Sequence, residues 1–280
     1  MSDRVIVTEP GSLLAVLVER LPGWKRNTLK DRLKAGRVEV NGQSITRHDH
    51  ALRAGDLVEI RAKGTERSPR GGVQLATLHT DDCLVAIDKP SGLLSVSTDQ
   101  EKRRTALAMV REALGRRERL WPVNRLDRET SGVLLFARSR AVREAVQSGW
   151  SEATKTYLAV VEGHLDPAEG LIDQPLWQDK ALNVHVGHHP KARDARTHYR
   201  TRSHHGSRAL LEISLLTGRQ HQIRVHLAWL GHPVVGAARY GTAGPRLGLH
   251  ALRLEVEHPR TRERLAFEAE APAAFLSLLR

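Results

Sequence analysis

The 280-residue chain has one cysteine, Cys83. An intramolecular disulfide needs two thiols and a thiolate zinc site needs a cluster of them, so both are excluded. A reducing compartment is expected. Long apolar runs are also missing: no stretch reaches the about 18 residues that a membrane helix requires. The amino end, Met1-Ser2-Asp3-Arg4-Val5-Ile6-Val7, lacks an apolar core of signal-peptide length. These absences together lead us to expect a cytoplasmic protein. There is no Gly-x-Gly-x-x-Gly, no other phosphate-cradling glycine loop, no internal repeat and no low-complexity tract. Acidic residues are outnumbered, 32 against 44 Lys and Arg, giving a net charge of +12 and a pI near 10.5. A surplus of that size points to a polyanionic partner, and nucleic acid is the usual one. With 40% hydrophobic and 27% charged residues the chain is globular.

Residues 11–60 read as a compact unit. Ser12 precedes Leu13, Leu14, Leu17, Val18 and Leu21 at helical spacing, and Pro22-Gly23 stops that helix. Asn27 or Thr28 opens a second helix. Its Leu29 and Leu33 face inward, leaving Lys25, Arg26, Lys30, Arg32, Lys34 and Arg37 outward, and Gly36 ends it. Val38-Glu39-Val40, the turn Asn41-Gly42 and a return through Ile45 predict a hairpin, and Leu57-Val58-Glu59-Ile60 a last strand. Such a unit has too little core for an enzyme. It resembles the small RNA-binding module first known from a ribosomal small-subunit protein, whose basic side chains would grip phosphates and not read bases. The expected division is a small RNA-binding domain at 1–62, a basic Gly-, Pro- and Ser-rich linker at 63–74, and a catalytic domain at 75–280.

Beyond residue 75 short apolar strands alternate with helical segments. Strands are expected at Leu84–Ile87, Val133–Phe136, Lys155–Val161, Leu210–Leu215 and Leu252–Glu257, with a return at Leu265–Ala269. Helices are expected at Thr105–Leu114, Ala141–Trp150 and Gln220–Leu230. This mixture predicts an α+β domain with a mixed, mostly antiparallel sheet and flanking helices.

The most informative stretch is Asn124-Arg125-Leu126-Asp127-Arg128-Glu129-Thr130-Ser131-Gly132, which runs into Val133-Leu134-Leu135-Phe136. A carboxylate lies between two arginines at the mouth of a core strand, where charge chemistry can be set up. A solvated loop with one salt bridge is the other reading of the same residues. Three further segments stand with it: Asp88-Lys89-Pro90-Ser91-Gly92-Leu93, Lys155-Thr156-Tyr157-Leu158-Ala159, and Gly218-Arg219-Gln220-His221-Gln222-Ile223-Arg224-Val225-His226.

In this order and at these intervals the four segments resemble the RluA-type RNA pseudouridine synthases, with similarity over roughly residues 75–276. The resemblance implies isomerisation of uridine in RNA to its C-glycoside, with no metal and no cofactor. It implies that Asp127 is the essential carboxylate, as nucleophile or as a group aiding elimination. Arg224 would be its partner, since close opposite charges in a partly shielded site attract by about 4 kcal/mol before desolvation. Tyr157 would stack on the base and move a proton, and Arg125 would fill the space of the extruded base. Lys89 and Arg219 are expected as phosphate contacts or supports. The family usually has histidine where this chain has Asn124, a change expected to affect local hydrogen bonding or RNA fit. The loop histidines 185, 188, 189, 204 and 205 lack carboxylates or cysteines at ligand spacing and are expected to face RNA. The partner is read as RNA, ribosomal before transfer RNA, and the chain as a monomer. A catalytically silent assembly protein and a basic DNA-binding protein are the rival readings.

Overall fold

The computed structural model describes residues 3–34, 38–60, 75–98, 101, 103–115 and 118–280. The linker expected at 63–74 and Arg37 lie outside them, as does Gly36. The chain forms two compact units, Met1–Val73 and Gln74–Arg280.

In the first unit β1 (Asp3–Ile6) leads to β2 (Gly11–Ser12), α1 (Leu13–Arg20) and α2 (Arg26–Lys34). Then come β3 (Val38–Val40), β4 (Gln43–Ser44), β5 (Ala51–Leu52) and β6 (Leu57–Ile60). Four strands pair in the order β1-β6-β3-β4, all antiparallel. Asn41 and Gly42 both have positive φ, 52° and 79°, the backbone a two-residue hairpin turn requires. Leu13, Leu17, Leu29 and Leu33 meet Val38, Val58 and Ile60 in one core. Ser12 does sit at the N-cap of α1, but its side chain makes no capping bond, contrary to expectation.

The second unit begins with β7 (Ala76–Thr80), β8 (Leu84–Lys89), α3 (Ala106–Ala113), β9 (Trp121–Pro122) and β10 (Ser131–Ala137). It continues with α4 (Arg140–Ser148), β11 (Thr154–Glu162), β12 (Glu169–Asp173), β13 (Leu176–Gln178) and β14 (Val184–Val186). β15 (Arg196–His205), β16 (Arg208–Leu215), α5 (Gln222–Trp229), β17 (Leu249–Glu257), β18 (Arg264–Glu268) and α6 (Ala273–Leu276) complete it. Thr105 and Ser139 cap α3 and α4 through hydrogen bonds from Ala108 N and Val142 N. Ten strands form one sheet, β12-β15-β16-β11-β17-β10-β8-β7, with β18 against β17 and β9 against β10. Every pairing in it is antiparallel except β10 with β17. The fold class is therefore α+β with a mostly antiparallel sheet.

β10 is buried along its whole length, and both its faces pack into core. Each such Leu or Phe contributes about 1.5–3 kcal/mol on burial, so this strand anchors whatever loop precedes it. At its start Gly132 (φ 110°) lies against β17: a Cβ there would come within 2.1 Å of the Ala251 carbonyl oxygen. Only glycine allows the two parallel strands to meet. Ala251 pairs with Gly132 on one side and with Tyr157 of β11 on the other. A register shift between Thr156 and Tyr157 marks a bulge, a device that re-aims a side chain. Thus Tyr157 is placed one strand away from the segment carrying Asp127.

Candidate active site

Asp127 sits in the loop between β9 and β10, and that loop is held at nearly every residue. Ser95 grips Leu126 from both sides: its hydroxyl accepts from Leu126 N (3.0 Å) and donates to Leu126 O (2.7 Å). Gly92 N donates to Arg128 O (2.8 Å), Ser91 Oγ to Glu129 O (2.6 Å), and Thr130 N to Asp127 O (3.2 Å). Lys89, with no exposed surface, donates to the carbonyls of Pro90 (2.9 Å), Leu93 (2.7 Å) and Arg128 (3.1 Å). Burial pulls its pKa down to about 8, against the opposing charges of Glu129, Asp127 and Asp88. A buried ammonium with three carbonyls around it has no donor left for phosphate, so of the two tasks expected of Lys89 the phosphate contact is corrected and the support remains: it is an internal clamp on the Asp127 loop.

Arg224 reaches Asp127 from α5 across 97 positions of sequence, Nη1 to Oδ2 at 3.1 Å. The arginine is 8% exposed, and its guanidinium lies over the Tyr240 ring at 5.3 Å. Its Nε is buried without an acceptor. Two polar neighbours on the same helix, Gln222 and His226, have separate tasks. Gln222 accepts from Thr217 Oγ1 and Arg219 N through Oε1, and donates to Arg196 O and Thr197 Oγ1 through Nε2, so it ties the first turn of α5 to β15. His226 is fully buried between Thr197 Oγ1 (2.8 Å) and Gln174 O (3.0 Å).

Asp127, Tyr157, Arg125 and Arg219 line one cavity of about 590 Å³, together with Asn124, Trp150, Lys155 and His221. That volume suits a single nucleotide-sized group. Tyr157 is half-buried in its wall, and burial first, then the negative charge of Asp127, pushes its phenol up to about 12. Arg125 and Arg219 are exposed; Arg219 Nε also donates to Asp194 O at 3.0 Å. The cavity thus holds a carboxylate with its guanidinium partner, a protonated phenol and two exposed cations: the equipment to stabilise positive character at a sugar carbon and move a proton.

Asn124 is accounted for. Its Oδ1 accepts from Leu135 N at 2.9 Å, closing an open position on β10. In the first unit Arg26 is exposed, Lys30 is half-buried, and Arg32 lies over Trp24 at 4.1 Å instead of pointing freely outward. The side chain of Lys34 lies outside the described residues. Of the histidines expected to face RNA, 185 and 189 stack on Trp177, at 4.6 and 4.2 Å, and His185 also meets Asp179 at 2.9 Å.

Sequence reasoning missed His221 and Tyr240. His221 Nε2 is 3.7 Å from Asp127 Oδ2, and its Nδ1 is 2.7 Å from the Tyr240 hydroxyl. His221 precedes Arg224 by three residues but stands at the N-cap of α5 with φ 54°, outside the helix, so helical periodicity does not place it. Nothing in the spacing marks Tyr240. A trio elsewhere, Asp81, Cys83 and His258, also went unnoticed; its ligand atoms lie within 4.8 Å of one another. Thr261 N donates to His258 Nδ1 at 3.0 Å, which leaves the ring proton on Nε2, 3.4 Å from Asp81 Oδ2 but without a hydrogen-bond partner. A protonated nitrogen is not a metal ligand, so the trio is not read as a metal site.

Comparison with known proteins agrees with the geometry. A family model described as RNA pseudouridylate synthase matches residues 83–229. The uncharacterized RNA pseudouridine synthase YhcT of Bacillus subtilis is 30% identical over 98% of this chain and 99% of its own length. Ribosomal large subunit pseudouridine synthase D of Vibrio cholerae is 30% identical over 91% of this chain and 86% of its own. Among solved structures, human RNA pseudouridylate synthase domain containing 4 superposes with a TM-score of 0.60 at 25% identity, covering 72% of this chain and 90% of that one. The chain belongs to the RluA-type RNA pseudouridine synthase family. It is an enzyme that isomerises uridine in RNA to pseudouridine. Among the described residues no helix is long and apolar enough to cross a membrane.

Proposed function

We propose that this enzyme modifies uridine in large-subunit ribosomal RNA, with Asp127 as the reacting carboxylate. One observation carries the assignment of roles: Asp127, held by Arg224 at 3.1 Å, lines the cavity whose wall includes Tyr157. Chemistry on a stacked base requires that the nucleotide be turned out of the helix into a pocket. Arg125, exposed beside the carboxylate, takes the vacated place in the stack, and Arg219 meets a phosphate. Inside the cavity Tyr157 lies against the uracil ring, its phenol protonated and able to donate. Asp127 attacks C1′, or removes a proton from the sugar; either route breaks the bond to N1 and permits the ring to turn and rejoin through C5. No metal or cofactor enters this scheme. The first unit, as a small RNA-binding domain joined by a basic linker, holds the substrate through Arg26, Lys30, Arg32, Lys34 and Arg37. The enzyme works as a monomer in the cytoplasm.

The choice of ribosomal over transfer RNA rests on the names of relatives such as the Vibrio cholerae protein and on the front unit. The silent-protein reading drew on Asn124, and the backbone hydrogen bond made by Asn124 gives that residue a structural task instead. Pseudouridine mapping across all cellular RNA, with the gene intact, deleted and replaced by D127A, tests the proposal. One or a few large-subunit sites should vanish in both altered strains. Loss confined to transfer RNA would overturn the substrate assignment, and sites retained with D127A would overturn the role of Asp127.

A further inference from the structure

His221 lies 3.7 Å from the carboxylate of Asp127 and is too well held to be incidental. It heads α5 in the left-handed region, φ 54°, an uncommon conformation for a residue with a side chain. Its Nδ1 meets the Tyr240 hydroxyl at 2.7 Å, with the two rings edge to face at 5.6 Å. Nε2 faces a carboxylate, which can only accept, so the neutral imidazole carries its proton there and Nδ1 accepts from the Tyr240 phenol.

That proton faces Asp127. The charged and titratable groups around the ring are Asp127 and Glu129 from the β9–β10 loop, Arg224 from α5, and Arg239 and Tyr240 from the segment that follows. Burial is the largest influence on the imidazole, and Asp127 opposes it; Arg224 and Arg239 add to it, and the pKa falls below the ordinary value. The ring is thus a neutral N–H donor and not a second cation. Arg224 Nη1 and His221 Nε2 both approach the same oxygen, Oδ2, at 3.1 and 3.7 Å. Among the described residues, the donors that reach Asp127 converge on Oδ2. A movement of about 0.5 Å would bring the histidine to hydrogen-bond length.

We infer that His221 is a positioning residue: held in one tautomer by Tyr240, it fixes Oδ2 of Asp127 together with Arg224 and leaves Oδ1 as the oxygen that meets the nucleotide. This rests on the role proposed above for Asp127. A carboxylate held at one oxygen by two donors cannot rotate its oxygens into each other's place, and reaction geometry is sensitive to displacements of that size.

The test compares wild type, D127A, H221A, H221Q and Y240F as full-length enzymes on a uridine-containing ribosomal RNA fragment. It reads kcat, KM and the melting temperature of each. H221A should lower kcat roughly 10- to 100-fold with KM nearly unchanged. H221Q, whose amide supplies an N–H to the same oxygen, should recover most of that loss, and Y240F should fall between them. A wild-type kcat for H221A would overturn the inference. So would equal losses in H221A and H221Q accompanied by equal drops in melting temperature. Activity in D127A would instead sink the role of Asp127, whereas an inactive D127A beside a fully active H221A would sink this inference alone.

Discussion

The two units hold their cations in opposite ways. In the first, Arg26 stands in solvent, Lys30 is half-exposed, and Arg32 rests on the Trp24 ring. In the second, Lys89 is wholly enclosed by carbonyls and Arg224 is 8% exposed against a carboxylate. A positive charge that grips a phosphate backbone works from the surface, adds to its neighbours and is weakened by salt. One that serves a single carboxylate must be fixed, and removing it leaves a charge without its partner. Losses on substitution should therefore be steep and particular in the second unit, shallow and additive in the first.

The steepest effect is expected for R224Q. It leaves Asp127 facing a neutral amide, and kcat should fall about 10³-fold while RNA affinity in a filter-binding assay stays near wild type. R224K should rescue only part of this, because a lysine offers a point charge without the planar fork. Equal activity in R224Q and wild type would erase the contrast between the units. Y157F comes next. The ring remains and the hydroxyl is lost, so kcat should drop about 10²-fold with little change in KM. Since the wild-type phenol is raised to about 12, the pH profile of kcat should show no alkaline limb from this group below pH 10.0.

K89M should act on stability more than on chemistry. It strips three hydrogen bonds from the carbonyls that shape the Asp127 loop, so the melting temperature should fall by several degrees. The sign of the pH dependence is fixed by the folded pKa of about 8 lying below the ordinary 10.5. Between those values the unfolded chain binds more protons, so the lysine's contribution to stability rises with pH across that window. Denaturant titrations at pH 8 and pH 10 should show that slope in wild type and lose it in K89M. The smallest effect belongs to the front unit: R26Q combined with K30Q should weaken RNA binding uniformly across sequences. It should reduce the slope of log affinity against log salt by about 1–2, and leave kcat unchanged.

Much of the site was legible in the residues. The carboxylate between arginines, the helix bearing Arg224 and the lone tyrosine of β11 each carried a local signal. The need of an enclosed charge for an opposite one called for a cation near Asp127, and the family resemblance pointed to Arg224. Of the strands that were easy to see, β8 and β10 carry continuous apolar runs and β16 alternates buried with half-buried residues. β15 was missed because Arg-Thr-His-Tyr-Arg-Thr-Arg-Ser-His-His buries Thr197 and Tyr199, polar types that do not mark a core face. Lys89 stayed open between phosphate contact and support because sequence shows a cation's charge but not the carbonyls folded around it. His221 and Tyr240 depended on a turn and a coil that no periodicity encodes.

The parallel seam between β10 and β17 has a genetic consequence. Asp127, Tyr157 and Arg224 all precede residue 225, so a message truncated shortly after it would still encode the whole proposed catalytic set. Yet the Ala251 rung that separates Gly132 from Tyr157 lies beyond all three. Nonsense alleles between the codons for Arg224 and Ala251 should therefore behave as nulls, since a shortened product that keeps every reactive side chain would lose the spacer that sets their distance.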